Sequence, residues 1–584
     1  MSILGLDRIF RPRGIALIGA SEKPGTIGRT LVENLLRGEA SYGVFPVNPR
    51  RNRVLDRPAY TSIQAIDQPV DLAVIATPIH TVPGVVHECA TAGVGGAIVI
   101  SAGGKEIGPA GKRIEGEISA AAARSGLRII GPNCMGIICA DPPLNASFAV
   151  TQPLPGNLAF ISQSGAICSA ILDLSLKEGI GFRNFVSIGS MLDVDFGDLV
   201  DYLGNDPQVS SIVLYVENLT NIRKFMSAAR AVSRVKPIVV LKSGRSQAGA
   251  RAASSHTGAM AGEDAAYEAA FKRAGIVRVD TIGELFDCAE LMAKQPIPTG
   301  SGLAIVTNGG GPGVMATDAL AAYGLEPVSL SSETLERLDY VLPDFWSRAN
   351  PVDILGDATP TRWKTALEVC LSAREIHALV IIFVPQGLSD GLAIAQSLAE
   401  LLKDRAHPPV FAVWMGGSGQ DEARHVLNGA SIPTYETPER AVTAFRYMHA
   451  YARNLEMLQE IPPKLDSVLQ LDEPRATTIV EEALSRKEAQ LTEVDAKSLL
   501  EAYGIPVNRT EVAASADEAV RIARQIGYPV VVKILSPQIT HKSDARGVQI
   551  NLRSDDVVRA AYERITENAR AYDPEADILG VTVQ

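Results

Sequence analysis

His256 lies in the run Arg251-Ala252-Ala253-Ser254-Ser255-His256-Thr257-Gly258-Ala259-Met260-Ala261-Gly262-Glu263-Asp264. An imidazole among small and hydroxylic residues, leading into a helix-like stretch from Ala265 to Arg273, is suited to carrying a phosphoryl group. Small neighbours leave room for phosphate, and Ser, Thr and backbone N–H groups supply the donors its oxygens need. Taken alone, the same pattern also fits a polar loop whose histidine bonds to backbone. Two other runs could meet an anion. Ser164-Gly165 and Gly309-Gly310-Gly311-Pro312-Gly313 each separate an apolar strand from a helix, so each predicts a helix N-terminus with its positive dipole end. Tight strand–helix packing is the structural alternative for both glycine runs.

The elements that must hold these residues follow one pattern: a short apolar strand, a Gly-rich turn, then an Ala-rich helix. Gly14–Ala20, Val70–Ala76 and Gly96–Ile100 are such strands, and the alternation predicts parallel sheets covered by helices on both faces. A first unit runs to about residue 145 and closes on Gly131-Pro132-Asn133-Cys134. A repeat follows, in which Leu158-Ala159-Phe160-Ile161-Ser162-Gln163-Ser164-Gly165 matches Leu303-Ala304-Ile305-Val306-Thr307-Asn308-Gly309-Gly310 at a constant offset. Residues 150–295 and 300–460 therefore read as two copies of one doubly wound fold. Asn454 to Ser485, charged and holding Pro462-Pro463, reads as an interdomain linker. A last unit opens at Leu491-Thr492-Glu493, passes through the strand Tyr528–Ile534, and reaches Gln584 within a strand-like run.

A length of 584 residues predicts roughly three to five domains. The net charge of −11 argues against a nucleic-acid-binding surface. Six scattered cysteines without a C-x-x-C pair favour neither a disulfide framework nor a zinc cage, and no metal-ligand set is expected. Met1 to Arg13 has no apolar signal core and no stretch is long enough to span a membrane, which reads as cytoplasmic.

Three motifs, taken in order, are more specific: Gly19-Ala20-Ser21 through Pro24-Gly25-Thr26-Ile27-Gly28, Ser254 to Gly258, and His541-Lys542-Ser543-Asp544. With them the whole chain resembles the nucleoside-diphosphate-forming (ADP-forming) acyl-CoA synthetases, relatives of succinyl-CoA synthetase. The resemblance implies an α/β multidomain protein. Residues 1–145 would be a Rossmann-like CoA-binding domain and 150–295 a flavodoxin-like domain with the phosphohistidine. Residues 300–460 would be a second flavodoxin-like ligase domain, and 485–584 the N-terminal part of an ATP-grasp domain, its remainder expected after Gln584.

For the first unit, Gly19, Gly25 and Gly28 let the backbone approach CoA phosphates, with Ser21 and Lys23 beside them; the spacing is not that of a nicotinamide-binding G-x-G-x-x-G loop. Asn48-Pro49, Thr77-Pro78, Ser101 and Asn133 follow strands and belong to the carboxyl edge, where such folds bind ligands. In the second unit the resemblance makes His256 the phosphorylated residue and Glu217 the carboxylate that orients its imidazole. Ser164-Gly165 and Gly309-Gly310-Gly311 would be two phosphate-binding helix ends. Asp193 and Asp195 read as exposed, solvated loop acids. In the terminal unit Lys533 matches a nucleotide-binding lysine and His541 lies on a loop thought to relay phosphate. Arg546 stands where the family has glycine.

The implied reaction interconverts acyl-CoA, ADP and phosphate with a carboxylic acid, CoA and ATP, through an acyl phosphate and phosphohistidine. CoA, ATP/ADP with Mg2+, and phosphate are the small-molecule partners, and a homodimer is implied. No arginine cluster selects a second carboxylate, so a small monocarboxylic acid such as acetate is expected. The alternative is an acyl-CoA-sensing regulatory region of a protein lysine acetyltransferase, which carries the same array of domains.

Overall fold

The computed structural model describes residues 3–38, 41–251, 263–387, 389–403, 405–460, 471–486 and 490–584. His256 and its Ser-Ser-His-Thr-Gly motif lie outside the described residues. The chain divides into two compact units, Met1–Glu460 and Ile461–Gln584.

Three parallel sheets build the first unit. Strands such as Gly14–Ile18, Leu72–Ile75, Gly96–Val99 and Ala378–Phe383 are apolar and buried along their length, as in a sheet sandwiched between helices. In the first sheet the spatial order is Gly43–Val47, Gly14–Ile18, Leu72–Ile75, Gly96–Val99, Arg128–Ile130. In the second it is Gly181–Ser187, Leu154–Ser162, Ser211–Val216, Ile238–Lys242, Val277–Val279. The third runs Val352–Asp353, Leu303–Thr307, Ala378–Phe383, Val410–Trp414, Thr434–Tyr435. Counted along the chain, each has the order 2-1-3-4-5. The repeat therefore holds at the level of topology, and the first sheet shares its flavodoxin-type order. In every sheet the order reverses between the first and third strands, and the crevice there opens at their carboxyl ends.

The sheets do not have separate cores. One apolar cluster joins Ile15, Leu17 and Val74 of the first sheet to Ile161, Val186 and Leu214 of the second. Another joins Phe160 and Val213 to Ile305 and Val380 of the third and to Phe445 of the helix Pro438–Gln459. The helix Pro438–Gln459 stitches the second to the third: Arg440 donates to both carboxylate oxygens of Asp287, at 3.0 and 2.7 Å, and Tyr451 Oη to the Ser233 carbonyl at 2.7 Å.

Three sequence expectations change. Gly136–Ala140 and Pro143–Ser147, counted with the first unit, form an antiparallel hairpin that extends the second sheet beside Gly181–Ser187. The described ends of the presumed linker are helical: Asn454 lies within the helix ending at Gln459, its side chain buried, and Glu473–Ser485 forms another helix. Pro462-Pro463 lie outside the described residues, and the two compact units divide within this stretch, between Glu460 and Ile461. Asp193 and Asp195 are structural. Asp195 is only 6% exposed and caps the helix Phe196–Gly204 by accepting from Gly197 N and Asp198 N, while Lys224 Nζ pairs with it at 2.9 Å. Asp193 accepts from Arg128 Nε and Ile129 N, both at 2.9 Å.

All six cysteines are buried and unpaired, and burial pushes the thiols of Cys134, Cys139 and Cys168 up to about 12, so they are packing residues. Among the described residues no helix is long and apolar enough to cross a membrane.

The second unit carries a four-stranded antiparallel sheet in the order Glu511–Ala513, Gly580–Val583, Val530–Leu535, Val548–Leu552. Helices Ala516–Ile526 and Asp555–Tyr572 pack against it around Val520, Val532, Val558 and Ile565. Gly580–Val583 is thus a central strand, paired on both sides.

Candidate active site

A cavity of about 610 Å³ opens where the carboxyl edges of the first two sheets meet. Ile27, Ala76 to Ile79 and Ile100 to Ala102 line it from the first sheet; Asn133 to Met135, Phe148, Gln163 to Ala166 and Ser169 line it from the second. Thr77, Pro78, Ser101, Asn133, Ser164 and Gly165 are thereby brought together from four separate stretches of sequence. The helix Gly165–Lys177 points its N-terminus into this space. Ser164 caps it, its Oγ accepting from Ile167 N at 3.3 Å, and the first-turn N–H groups of a helix have no intrahelical acceptor. Such an end holds an oxyanion or phosphate.

Of the glycine loop and the turn after the second strand, only Ile27 lines this cavity; Gly19, Ser21, Lys23, Gly25, Gly28, Asn48 and Pro49 do not. Gly19 has φ +99°, and a Cβ there would lie 2.6 Å from the Ala76 carbonyl; a Cβ on Gly28 would lie 2.3 Å from the Gly19 carbonyl. Both contacts are with backbone, so these positions admit only glycine. Thr26 Oγ1 donates to the Lys23 carbonyl and Ser21 Oγ accepts from Lys23 N, which closes the loop ahead of the helix Ile27–Arg37. Asn48 works as a brace: its amide donates to the Ala20 carbonyl at 2.9 Å and its oxygen accepts from Arg50 N at 2.9 Å. Pro49 follows it in the turn after the second strand.

Gln163 joins the cavity to Glu217. Its Oε1 accepts from Glu217 N at 2.5 Å and Asn218 N at 2.9 Å, across the point where the second sheet reverses its order. A small adjoining cavity is lined by Gln163, Asn133, Glu217, Asn218, Lys105 and Glu106, among others. Lys105 Nζ donates to the Ser190 carbonyl at 2.8 Å, and Glu106 Oε1 accepts from Gly103 N at 2.7 Å. One cation and two carboxylates therefore line this adjoining cavity, which shares Asn133 and Gln163 with the larger one. Sequence reasoning missed Gln163, Lys105 and Glu106. The pair Lys105-Glu106 directly follows Gly103-Gly104 after a strand, and that was the available signal.

The third sheet repeats this device with one change. Asn308, matched to Gln163, donates to the Val384 carbonyl at 2.9 Å and accepts from Val384 N at 2.8 Å. Ser162 pairs with Tyr215 and Thr307 with Ile382, so Val384 is the counterpart of Glu217. One copy carries a carboxylate at the switch point and the other an isopropyl group. Gly309 caps the helix Gly310–Ala322, but Gly309, Gly310 and Gly311 do not line the cavity at Ser164. Their expected convergence on His256 lies outside the described residues.

The chain matches four domain families in series: a CoA binding domain over residues 13–140, a succinyl-CoA ligase like flavodoxin domain over 155–292, a ligase-CoA domain over 303–468 and an ATP-grasp domain over 482–584. It is 38% identical over 579 residues to an acetate–CoA ligase (ADP-forming) from Archaeoglobus fulgidus, covering 99% of this chain and 82% of that one. The chain belongs to the ADP-forming acyl-CoA synthetase family. A 4-hydroxybutyrate–CoA ligase (ADP-forming) from Nitrosopumilus maritimus is 35% identical, with 98% of this chain and 82% of that one covered. Among solved structures, the dinucleotide-forming acetyl-coenzyme A synthetase 1 of Ca. Korarchaeum cryptofilum, with phosphate and ADP, matches with a TM-score of 0.74 and 36% identity over 78% of this chain and 98% of that one. The relatives are acid–thiol ligases, and they favour that class over the acyl-CoA sensor.

In the second unit of this synthetase-family chain, Lys533 Nζ donates to Glu493 Oε1 at 2.9 Å and Gln584 Oε1 at 3.0 Å. Burial would raise the Glu493 pKa, but hydrogen bonds from Lys533 and Gln584 and the nearby Lys533 and Lys497 charges outweigh it and hold the carboxyl at about 2. His541 is exposed on the loop after Val530–Leu535, its carbonyl accepting from Asp544 N at 3.1 Å. Arg546, in the family's glycine place, has φ +49°, the left-handed region in which glycine is free and other residues cost about 1 kcal/mol. Asn568 Nδ2 donates to its carbonyl at 3.2 Å, and Gly547 N to that of Lys542 at 2.7 Å, so the turn keeps its shape with arginine in it.

Proposed function

We propose that the chain interconverts acyl-CoA, ADP and phosphate with a carboxylic acid, CoA and ATP. A phosphate oxygen attacks the thioester carbonyl carbon, the C–S bond breaks, and CoA leaves as the thiolate. The acyl phosphate then gives its phosphoryl group to His256 and releases the carboxylate. ADP takes the group from His256 and becomes ATP.

The observation that carries this reading is the cavity at the N-terminus of Gly165–Lys177, with Glu217 tied to its rim through Gln163. Charge develops on the thioester oxygen and on phosphate, and a fixed helix end stabilises both without reorganising. Gly19, Ser21, Lys23, Gly25 and Gly28, with the strand-end residues Asn48, Pro49, Thr77, Pro78, Ser101 and Asn133, form the CoA-binding edge. Glu217 fixes the imidazole tautomer so that the other ring nitrogen is the nucleophile. Lys533 takes the nucleotide phosphates by exchanging its contact with Glu493, magnesium enters with the nucleotide, and His541 belongs to the relay. Gly309 to Gly311 serve the phosphoryl group from the ligase domain. The domain division is 1–145, 150–295, 300–460 and 485–584, with the hairpin Gly136–Ser147 passing from the first of these to the sheet of the second, and the protein works as a homodimer.

Thioester-dependent ATP formation with a panel of acyl-CoAs tests the reaction. Arsenate in place of phosphate separates its halves, because acyl arsenate hydrolyses at once and CoA thiol accumulates without nucleotide. ATP formation that does not depend on a thioester would refute the proposal.

A further inference from the structure

Lys242 ends the strand Ile238–Lys242 and is only 4% exposed. It pairs in register with Val216, one position from Glu217 across the sheet. Among the described residues its ammonium has no ion pair: Nζ donates to the Ser243 carbonyl and lies over the Tyr267 ring, 4.5 Å from its centroid. Burial lowers its pKa; the Asp264 carboxylate opposes this, Arg278 adds to it, and Glu217 opposes it again. Packing alone gives no reason for an ammonium there. An apolar side chain of the same length would fill the space without the cost of a buried charge. Tyr267 is the other half of the arrangement. It belongs to the helix Asp264–Arg273, which Arg278 fixes by donating to Asp264 at 2.6 Å and to Glu268 at 3.0 Å. From that helix Tyr267 Oη accepts from Leu219 N at 3.4 Å. The turn after the strand Ser211–Val216 is therefore held by two side chains: Gln163 takes the N–H groups of Glu217 and Asn218, and Tyr267 takes that of Leu219. Three successive backbone donors are satisfied in this way, so the turn that carries the Glu217 carboxylate is fixed.

Resting on the ligase reading above, we infer that Lys242 and Tyr267 are positioning residues for Glu217. The ammonium anchors the Tyr267 ring, the Tyr267 hydroxyl holds the turn, and the positive charge favours the carboxylate form of Glu217. Neither residue lines the cavity at Ser164, so the acyl half of the reaction does not need them.

The test measures ATP formation and arsenate-driven CoA thiol release from acetyl-CoA in full-length protein: wild type, Lys242→Met, Lys242→Arg, Tyr267→Phe, Glu217→Gln and the double variant Lys242→Met with Glu217→Gln. Lys242→Met should lower kcat for ATP formation at least about 10-fold, with KM for ADP and the rate of thiol release each within about threefold of wild type. Its Tm should not fall, because an apolar chain replaces a buried charge. Lys242→Arg keeps the charge and the ring contact and should form ATP within about threefold of the wild-type rate. Tyr267→Phe keeps the ring and releases Leu219 N; it should lower ATP formation about threefold or more, and it decides the matter if Lys242→Met does not fold. In the Glu217→Gln background Lys242→Met should cost less than about twofold, since no carboxylate is left to position. A full further loss in the double variant, equal losses in both assays, or ATP formation by Lys242→Met at the wild-type rate overturns the inference. Glu217→Gln at the wild-type rate instead overturns the role of Glu217, and this inference with it. Wild type that forms no ATP from any thioester overturns the ligase reading itself.

Discussion

Glu217 and Val384 hold the same place in two copies of one fold, each tied to a side-chain amide at the switch point. Only the first can orient an imidazole. Glu217→Gln keeps the shape and removes the charge, so ATP formation should fall on the order of 100- to 1,000-fold, with arsenate-driven thiol release changed by less than about threefold. Equal loss in both assays would assign Glu217 to the acyl step instead. Glu493 gives a prediction for stability. Its carboxyl is held at about 2, below its ordinary 4.5, so its folded-state contribution is complete above pH 4.5 and is lost as pH falls from 4.5 through about 2. The group is partly solvated, which limits its worth to roughly 1 kcal/mol. Glu493→Gln should destabilise the second unit by about that much at pH 7 and flatten its acid limb over that window, as followed by urea unfolding at several pH values.

At the scale of elements, the helix Gly165–Lys177 does the positioning. Ser164→Ala removes the cap on Ile167 N and should cost about 1 kcal/mol of stability in a urea melt. It should also raise KM for phosphate several-fold, because the helix end it leaves is less well ordered. An unchanged KM for phosphate would place phosphate elsewhere. Much of this was legible in the sequence. Apolar strands followed by glycine runs announced both the parallel sheets and the helix ends, and the offset between Leu158–Gly165 and Leu303–Gly310 announced the repeat. Partnerships across the sheet were not legible. Gln163 and Glu217 meet because two strands distant in sequence are neighbours at a reversal of strand order, which no local pattern encodes. Asp195 was misread for the same reason: its partner Lys224 comes from another helix. Asn454 to Ser485 does hold the division between the two compact units, but its described ends are capped helices, which composition did not suggest.

For the whole molecule, the central claim is that one chain divides a difficult transfer between an acyl site and a nucleotide site, with His256 carrying the phosphoryl group between them. Splitting the reaction allows each half to be assayed by itself. The most direct measurement compares wild type and His256→Ala in full-length protein, in two assays on the same preparation: ATP formed from acetyl-CoA, phosphate and ADP, and CoA thiol released from acetyl-CoA by arsenate. ATP formation should drop by at least about 1,000-fold in the variant, while arsenate-driven release stays within a few-fold of wild type. ATP formation by His256→Ala at the wild-type rate would contradict phosphohistidine carriage outright.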